Sequence, residues 1–426
     1  MHPFPVRSLR TTTIVAALLC AAALAALASA AACRKGPPDE AVYTGGSPSG
    51  PSRPGTPTDS GSAGFKSTLL LASADCALAR YRHVDGVARA FQEAARAWGQ
   101  DPANDSLRAT ARTAWRTVID DWQETELFRF GPAARSTSPG GKNLRDPIYP
   151  WPLVSRCKMD EQIVDQAYAR PGFGTSLVTG RGLSAYEYLA FYDGSDNGCS
   201  ASSPINANGT WRALDAEELR RRKAQYAAAV AEDVLSNIDG LVRAWDPAQG
   251  NFHREVATAG GGSKTFALDQ DALNAINEAI FYIELQVKDL KLAIPLGIST
   301  ACEKASCPEA VESLFAHVSK EHIKANLRGF RRLFQGCADD GTGIGFDDWL
   351  REVGAADLAD RMLAALARVE ASLDAVETSF DEALANSPGK LQAVYTALKA
   401  LTDSMKTEFV TVLNLELPKG SEGDND

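Results

Sequence analysis

From Phe65 onward the apolar residues recur at helical spacing. The clearest run is Leu273, Ile276, Ile280, Ile283, Val287, Leu290 and Ile294, whose alternating steps of three and four put one stripe on one helix face. Pro295 and Gly297 end it, because neither sustains a helix. A second stripe runs through Leu391, Val394, Leu398, Leu401, Met405, Phe409 and Val412, and both stripes read as core faces. Asp215 with Glu218 forms an acidic variant of the N-terminal capping box and opens a helix to Trp245, while Pro308 suits the first position of another. The pattern predicts helices over 66–99, 104–129, 183–192, 215–246, 269–294, 308–335, 347–386 (with a break near Gly354) and 390–415. Long alternating runs of the kind that mark strands are missing, so the fold class is all-α. The helices group into two adjacent bundles, 66–250 and 264–417, with the Gly-rich segment 249–263 between them. Loops at 131–152 and 193–210 exceed the roughly 12 to 15 residues beyond which a loop rarely serves as mere spacer.

The first 32 residues read as a lipoprotein signal peptide: Arg7 and Arg10 precede an apolar, small-residue run from Ile14 to Ala32 that stops at Cys33. Cys33 is the expected lipidation site, with cleavage after Ala30 as the alternative. Residues 33–65 follow as a lipidated Cys and a Gly/Pro/Ser tether too poor in apolar surface to fold, and 418–426 reads as a disordered tail. Arg34, where an Asp would favour inner-membrane retention, points to an outer-membrane lipoprotein facing the periplasm or the surface. The membrane, through the lipid anchor, is thus the first expected partner.

Composition narrows the function. With 44 Lys and Arg against 54 Asp and Glu the net charge is −10, which disfavours nucleic acid as a partner because such binding rests on neutralising phosphates. Beyond Cys20 and Cys33 there are six cysteines, Cys76, Cys157, Cys199, Cys302, Cys307 and Cys337, an even number suited to three disulfides in an oxidising compartment. Cys302 with Cys307 is the favoured pair and Cys157 with Cys199 the next; scattered spacing without a CxxC disfavours a zinc cluster. Neither a GxSxG elbow nor an SxxK pair is present. The Asp193–Gly198 stretch copies the start of a calcium loop but carries Pro204 where Glu is needed, and reads as a polar turn closed at Cys199.

Several segments in order resemble one family. Trp115, DWQETELFRFGP at 121–132, LRDPIYPWPLVSRCKMD at 144–160, TGRGLSAYEYLAF at 179–191, KDLKLAIPLG at 288–297, SKEHIKANLRGFRRLFQG at 319–336 and GFDDWL at 345–350 are similar to the imelysin family. The resemblance covers residues 70–415 and implies an all-helical envelope protein of two related bundles, a family first described as metallopeptidases and associated with iron acquisition. Its signature is Gly-x-His-x-x-Glu, in which His and Glu three apart on a helix share a face and both reach one metal ion. Here the motif reads Gly182-Leu-Ser-Ala-Tyr-Glu187, with Ser184 in place of the histidine. Serine is a poor ligand for a borderline metal, and His83, His253, His317 and His322 read as surface or packing residues outside the family spacing.

A carboxylate site for a harder cation, iron or another divalent or trivalent metal, survives that change better. Glu187 is its first candidate and Glu126 its second; the competing reading pairs Glu187 with Arg145 or Arg181 as a structural ion pair. Ser184, Arg145, Trp151 and Arg181 are expected to line the cleft, and no catalytic residue is assigned. The expectation is an imelysin-like envelope lipoprotein, leaning away from catalysis, that binds a metal-related or protein ligand between its bundles in iron acquisition, with envelope uptake components as partners. The alternatives are a metal-dependent peptidase with a rebuilt site and a structural or adhesion lipoprotein.

Overall fold

The computed structural model describes residues 60–421. The signal peptide, Cys33 and most of the tether, like residues 422–426, lie outside the described residues. The principal helices are α1 (Ser60–Gln100), α2 (Asp105–Thr125), α3 (Arg156–Asp165), α4 (Gly182–Phe191), α5 (Ala216–Trp245), α6 (Asp269–Ile280), α7 (Ser319–Phe334), α8 (Phe346–Glu352), α9 (Ala356–Asp374), α10 (Phe380–Asn386) and α11 (Pro388–Ser404). The stripe that begins on α6 continues through a π-helical segment, Ile283–Ala293, and α11 continues through another, Met405–Phe409. No strand occurs among the described residues, and none of their helices is long and apolar enough to cross a membrane.

Helix ends follow the local chemistry. Asp215 caps α5 by accepting the Glu218 amide, Asn104 caps α2, and Ser155 caps α3, a helix that the apolar pattern alone does not announce. Four boundaries differ from expectation. Helix α1 is described from Ser60, inside the expected tether, and Lys419–Ser421 forms a 3-10 turn where a tail was expected. The 347–386 run is three helices, because Gly354 takes φ +83° and Ser379 starts α10 as a fresh N-cap. The helix expected from Pro308 begins only at Ser319; Pro308–Ala310 is a 3-10 turn, and the segment beyond it is irregular.

Packing follows the stripes. Helix α1 lies against α2 and α5, α4 packs on α5, and α9 on α11, which also packs on the Ile283–Ala293 segment. Phe91 of α1 meets Tyr186 of α4 edge-on at 4.6 Å, and Trp245 gathers Tyr81, Phe130 and Phe252 around it with ring centroids 5.2–5.9 Å away. Both apolar stripes are buried through Leu273, Ile276, Ile280, Ile283 and Val287 and through Leu391, Val394, Leu398, Leu401, Met405 and Phe409. Each such side chain withdrawn from water stabilises the fold by about 1.5–3 kcal/mol before entropy is counted.

The decisive junction for the site is α2 against α7. Gly329 makes it possible: a Cβ there would stand 2.3 Å from the Glu124 carbonyl oxygen. Three disulfides close the chain, Cys302 to Cys307, Cys157 to Cys199 and Cys76 to Cys337. The last, which sequence spacing leaves open, ties α1 to the loop after α7.

Candidate functional site

Helix α4 opens at Gly182, whose φ of +77° and approach to the Ile148 carbonyl leave no room for a side chain. Ser184 and Glu187 then fall three apart, both buried. Glu187 pairs with neither Arg145 nor Arg181. Its Oε1 accepts three hydrogen bonds, from the Ser313 hydroxyl (2.8 Å) and the amides of Phe315 and Ala316 (2.9 Å each). This explains the irregular stretch before α7: amides that a helix would turn inward are given to Glu187 instead. Burial pushes the Glu187 carboxyl above the ordinary range, and the Ala316 and Phe315 amides with the Ser313 hydroxyl hold it back.

The residue before Ser313 anchors a second centre. Glu312 is buried, and its Oε1 accepts from the Tyr149 hydroxyl (2.7 Å), the Gln123 amide (2.9 Å) and the Lys291 ammonium (2.9 Å), while Oε2 lies 3.1 Å from His322 Nδ1. Lys291 also donates to the side-chain oxygens of Gln123 (2.8 Å) and Asn326 (2.7 Å). Asn326 returns a bond to the Gln123 carbonyl at 2.7 Å. Burial opposes the charge on Glu312, yet Lys291 and His322 outweigh it and hold the carboxyl well below the usual range. Burial lowers the Lys291 pKa, with Glu312 opposing.

The network therefore joins the end of α2 and the 131–152 loop to the π-helical segment and α7. The His322 Nε2 of this network and the Ser184 hydroxyl of α4 are buried without a hydrogen-bond partner among the described residues. The second expected ligand, Glu126, is fully buried and already engaged. Its Oε1 takes the Trp122 indole N–H (2.7 Å), and the Arg145 Nε spans both oxygens at 3.0 and 3.1 Å.

Arg145 reaches on to the Trp151 carbonyl, so these two expected cleft residues do meet. Arg181 sits apart, bound to Asp233 of α5 at 2.7 Å. Ser184, Arg145, Trp151 and Arg181 are all interior side chains, each less than a tenth exposed.

Comparison with known proteins agrees with this architecture. The sequence model of the family described as imelysin, peptidase family M75, matches residues 77–405. The chain belongs to the imelysin family. It is 22% identical over 337 residues to iron-regulated protein A of Synechococcus elongatus, covering 78% of this chain and 82% of that protein. It overlays the crystal structure of an imelysin-like protein from Psychrobacter arcticum 273-4 with a TM-score of 0.61 at 17% identity, over 83% of this chain and 97% of the other. A second crystal structure, from Parabacteroides distasonis ATCC 8503, overlays with the same TM-score and identity over 82% and 95% of the two chains.

The metal that a peptidase family implies needs about three protein ligands around one point. Among the described residues the one His/Cys/Asp/Glu trio that close together is Cys157, Glu161 and Cys199, and both cysteines are spent in a disulfide. Ser184 supplies a hydroxyl where the family has imidazole, and Glu187 is occupied by three protein donors. As folded, the residues around Glu187 do not fit a three-ligand metal centre. Sequence reading set His322 aside as a surface or packing residue and assigned no site role to Gln123, Tyr149, Lys291, Glu312 or Asn326. Five of the six lie inside the family-like segments; Glu312 lies in none, and no local pattern marks it.

Proposed function

We propose that this imelysin-family chain is a cell-envelope lipoprotein that serves iron acquisition by binding, without turning a substrate over. The observation that carries the reading is the state of the signature helix: Ser184 replaces the ligating histidine, and Ser313, Phe315 and Ala316 all donate to Glu187 Oε1. A hydrolytic metal site needs several protein ligands, an open coordination position and an activated water, and the groups around Glu187 do not supply that ligand set. The ligand is a metal-related molecule or an envelope protein held between the helices of the N-terminal and C-terminal halves, not a bare ion on Glu187. The iron role is supported by the name of the Synechococcus relative, and envelope placement by the apolar run ending at Cys33.

The test combines chemistry and cell fractionation. Protein spanning residues 34–426, incubated with iron, zinc, manganese and calcium, is expected to retain no stoichiometric metal by mass spectrometry and to cleave no peptide library; Glu187→Gln should behave alike. Metal-dependent cleavage lost in Glu187→Gln would overturn the reading in favour of a peptidase. In cells, Cys33→Ser should release the protein from the membrane fraction, and deletion should lower uptake of radioactive iron under iron limitation. Unchanged uptake would remove the iron role.

A further inference from the structure

A groove of about 980 Å³ runs between the 129–139 segment, α6 with its π-helical continuation, and the C-terminal stretch 416–420, and its lining Tyr282 also lies under Lys291 of the Glu312 network. Small-molecule sites span about 300–1,000 Å³, so this one suits an organic molecule better than an inorganic ion. Its walls differ in charge. Arg129 and Arg135 stand on the 129–139 side; Asp271 and Glu278, seven apart and so on one face of α6, stand opposite, with Glu416 and Lys419 on the third side. No ion pair joins these groups across the groove among the described residues.

Arg129 is the unusual member. Its side chain is 24% exposed, and its sole ion-pair contact among the described residues is with Glu126 Oε2 at 4.0 Å. That carboxylate already holds Arg145 and Trp122. The five N–H donors of Arg129 therefore have no acceptor at hydrogen-bond distance among the described residues. The guanidinium lies over the ring of Tyr282, 5.5 Å from its centroid, and Tyr282, 3% exposed, forms the groove's inner wall. Burial lowers the Arg129 pKa, as does neighbouring Arg145, with Glu126 and Asp146 opposing. A carboxylate placed there would gain the planar two-bond geometry that guanidinium favours. A polyanion would meet Asp271, Glu278 and Glu416; a simple cation would leave Arg129 unmet.

We propose that the groove binds a small zwitterion of the short-peptide class, its free carboxylate on Arg129 and its ammonium toward Asp271 and Glu278. The test is calorimetric titration of the mature chain, residues 34–426, with tri-alanine, its C-terminal amide, its N-acetyl form and citrate. Tri-alanine is expected to bind saturably, and amidation to weaken it at least about tenfold, since a charge-assisted bidentate contact is lost. In Arg129→Gln the amide and the acid should bind equally weakly. In Glu278→Gln, a change at an exposed position, N-acetylation should lose most of its penalty. Tri-alanine binding weaker than about 10 mM, binding indifferent to amidation, or tighter binding of citrate than of tri-alanine would each overturn the proposal. The ligand-side comparisons decide it even if Arg129→Gln fails to fold.

Discussion

Two single residues carry opposite electrostatic burdens. Glu312 is compensated: Lys291, Tyr149 and Gln123 all donate to its Oε1, and His322 faces Oε2. Removing one member leaves a buried charge short of a partner, so Lys291→Met is expected to cost about 3–5 kcal/mol in urea unfolding. A loss below about 1 kcal/mol, the scale of an exposed pair, would show that the network is not held as drawn. Asp347 is poorly compensated, with Arg351 no nearer than 3.9 Å. At the start of α8 it is buried, one oxygen lacks a partner, and burial together with Asp348 pushes its carboxyl up to about 6. A raised carboxyl pKa favours the fold below its unfolded value of about 3.9 and loses that contribution as pH rises through about 6. Asp347→Asn should therefore stabilise by roughly 1–3 kcal/mol at neutral pH, the gain fading toward pH 4. Equal gains at both pH values would refute the assignment.

At the scale of elements, the irregular segment between Pro308 and α7 does what a helix could not. It presents Glu312 to one centre and the Ser313 hydroxyl with the Phe315 and Ala316 amides to the other, two neighbouring stretches of chain serving two buried carboxylates. Ser313→Ala removes one of three donors to Glu187 and should cost about 1–3 kcal/mol, the range for a hydrogen bond to a charged group; an unchanged Tm would show that the Glu187 cradle is not formed. The disulfides rank by the chain they close. Cys76 and Cys337 are 261 residues apart, Cys302 and Cys307 only 5. On the chain-entropy account the first stabilises by about 5 kcal/mol and the second by about 2. Replacing each pair by serines and comparing denaturant midpoints checks the order; a larger loss at Cys302 and Cys307 would reverse it.

Across the whole molecule, α2 against α7 and the Cys76–Cys337 link make the N-terminal and C-terminal helices share an interior. Trp98, Trp115, Trp122 and Trp245 report on the first part, and Trp349 on the second; all are fully buried. Unfolding of protein spanning residues 34–426, followed by tryptophan fluorescence and by far-ultraviolet circular dichroism, should give coincident transitions. Two separated transitions would mean that the halves melt independently and that the network between them contributes little.

Periodicity alone determined the all-helical class, the two long stripes, the Asp215 cap and the break near Gly354, because each depends on neighbours within a turn or two of the same helix. Motif order pointed to the family. Short sequence distance singled out Cys302 with Cys307, whereas the 261-residue span between Cys76 and Cys337 carries no local signal. The partners of buried charge were beyond sequence reading: Glu187 could be placed beside Arg145 or Arg181 with equal ease, and only the tertiary structure gives Arg145 to Glu126, Arg181 to Asp233, and Glu187 to amides more than a hundred residues away. A buried carboxylate needs donors from any direction in space, and nothing in the linear order of residues records which segments fold back to supply them.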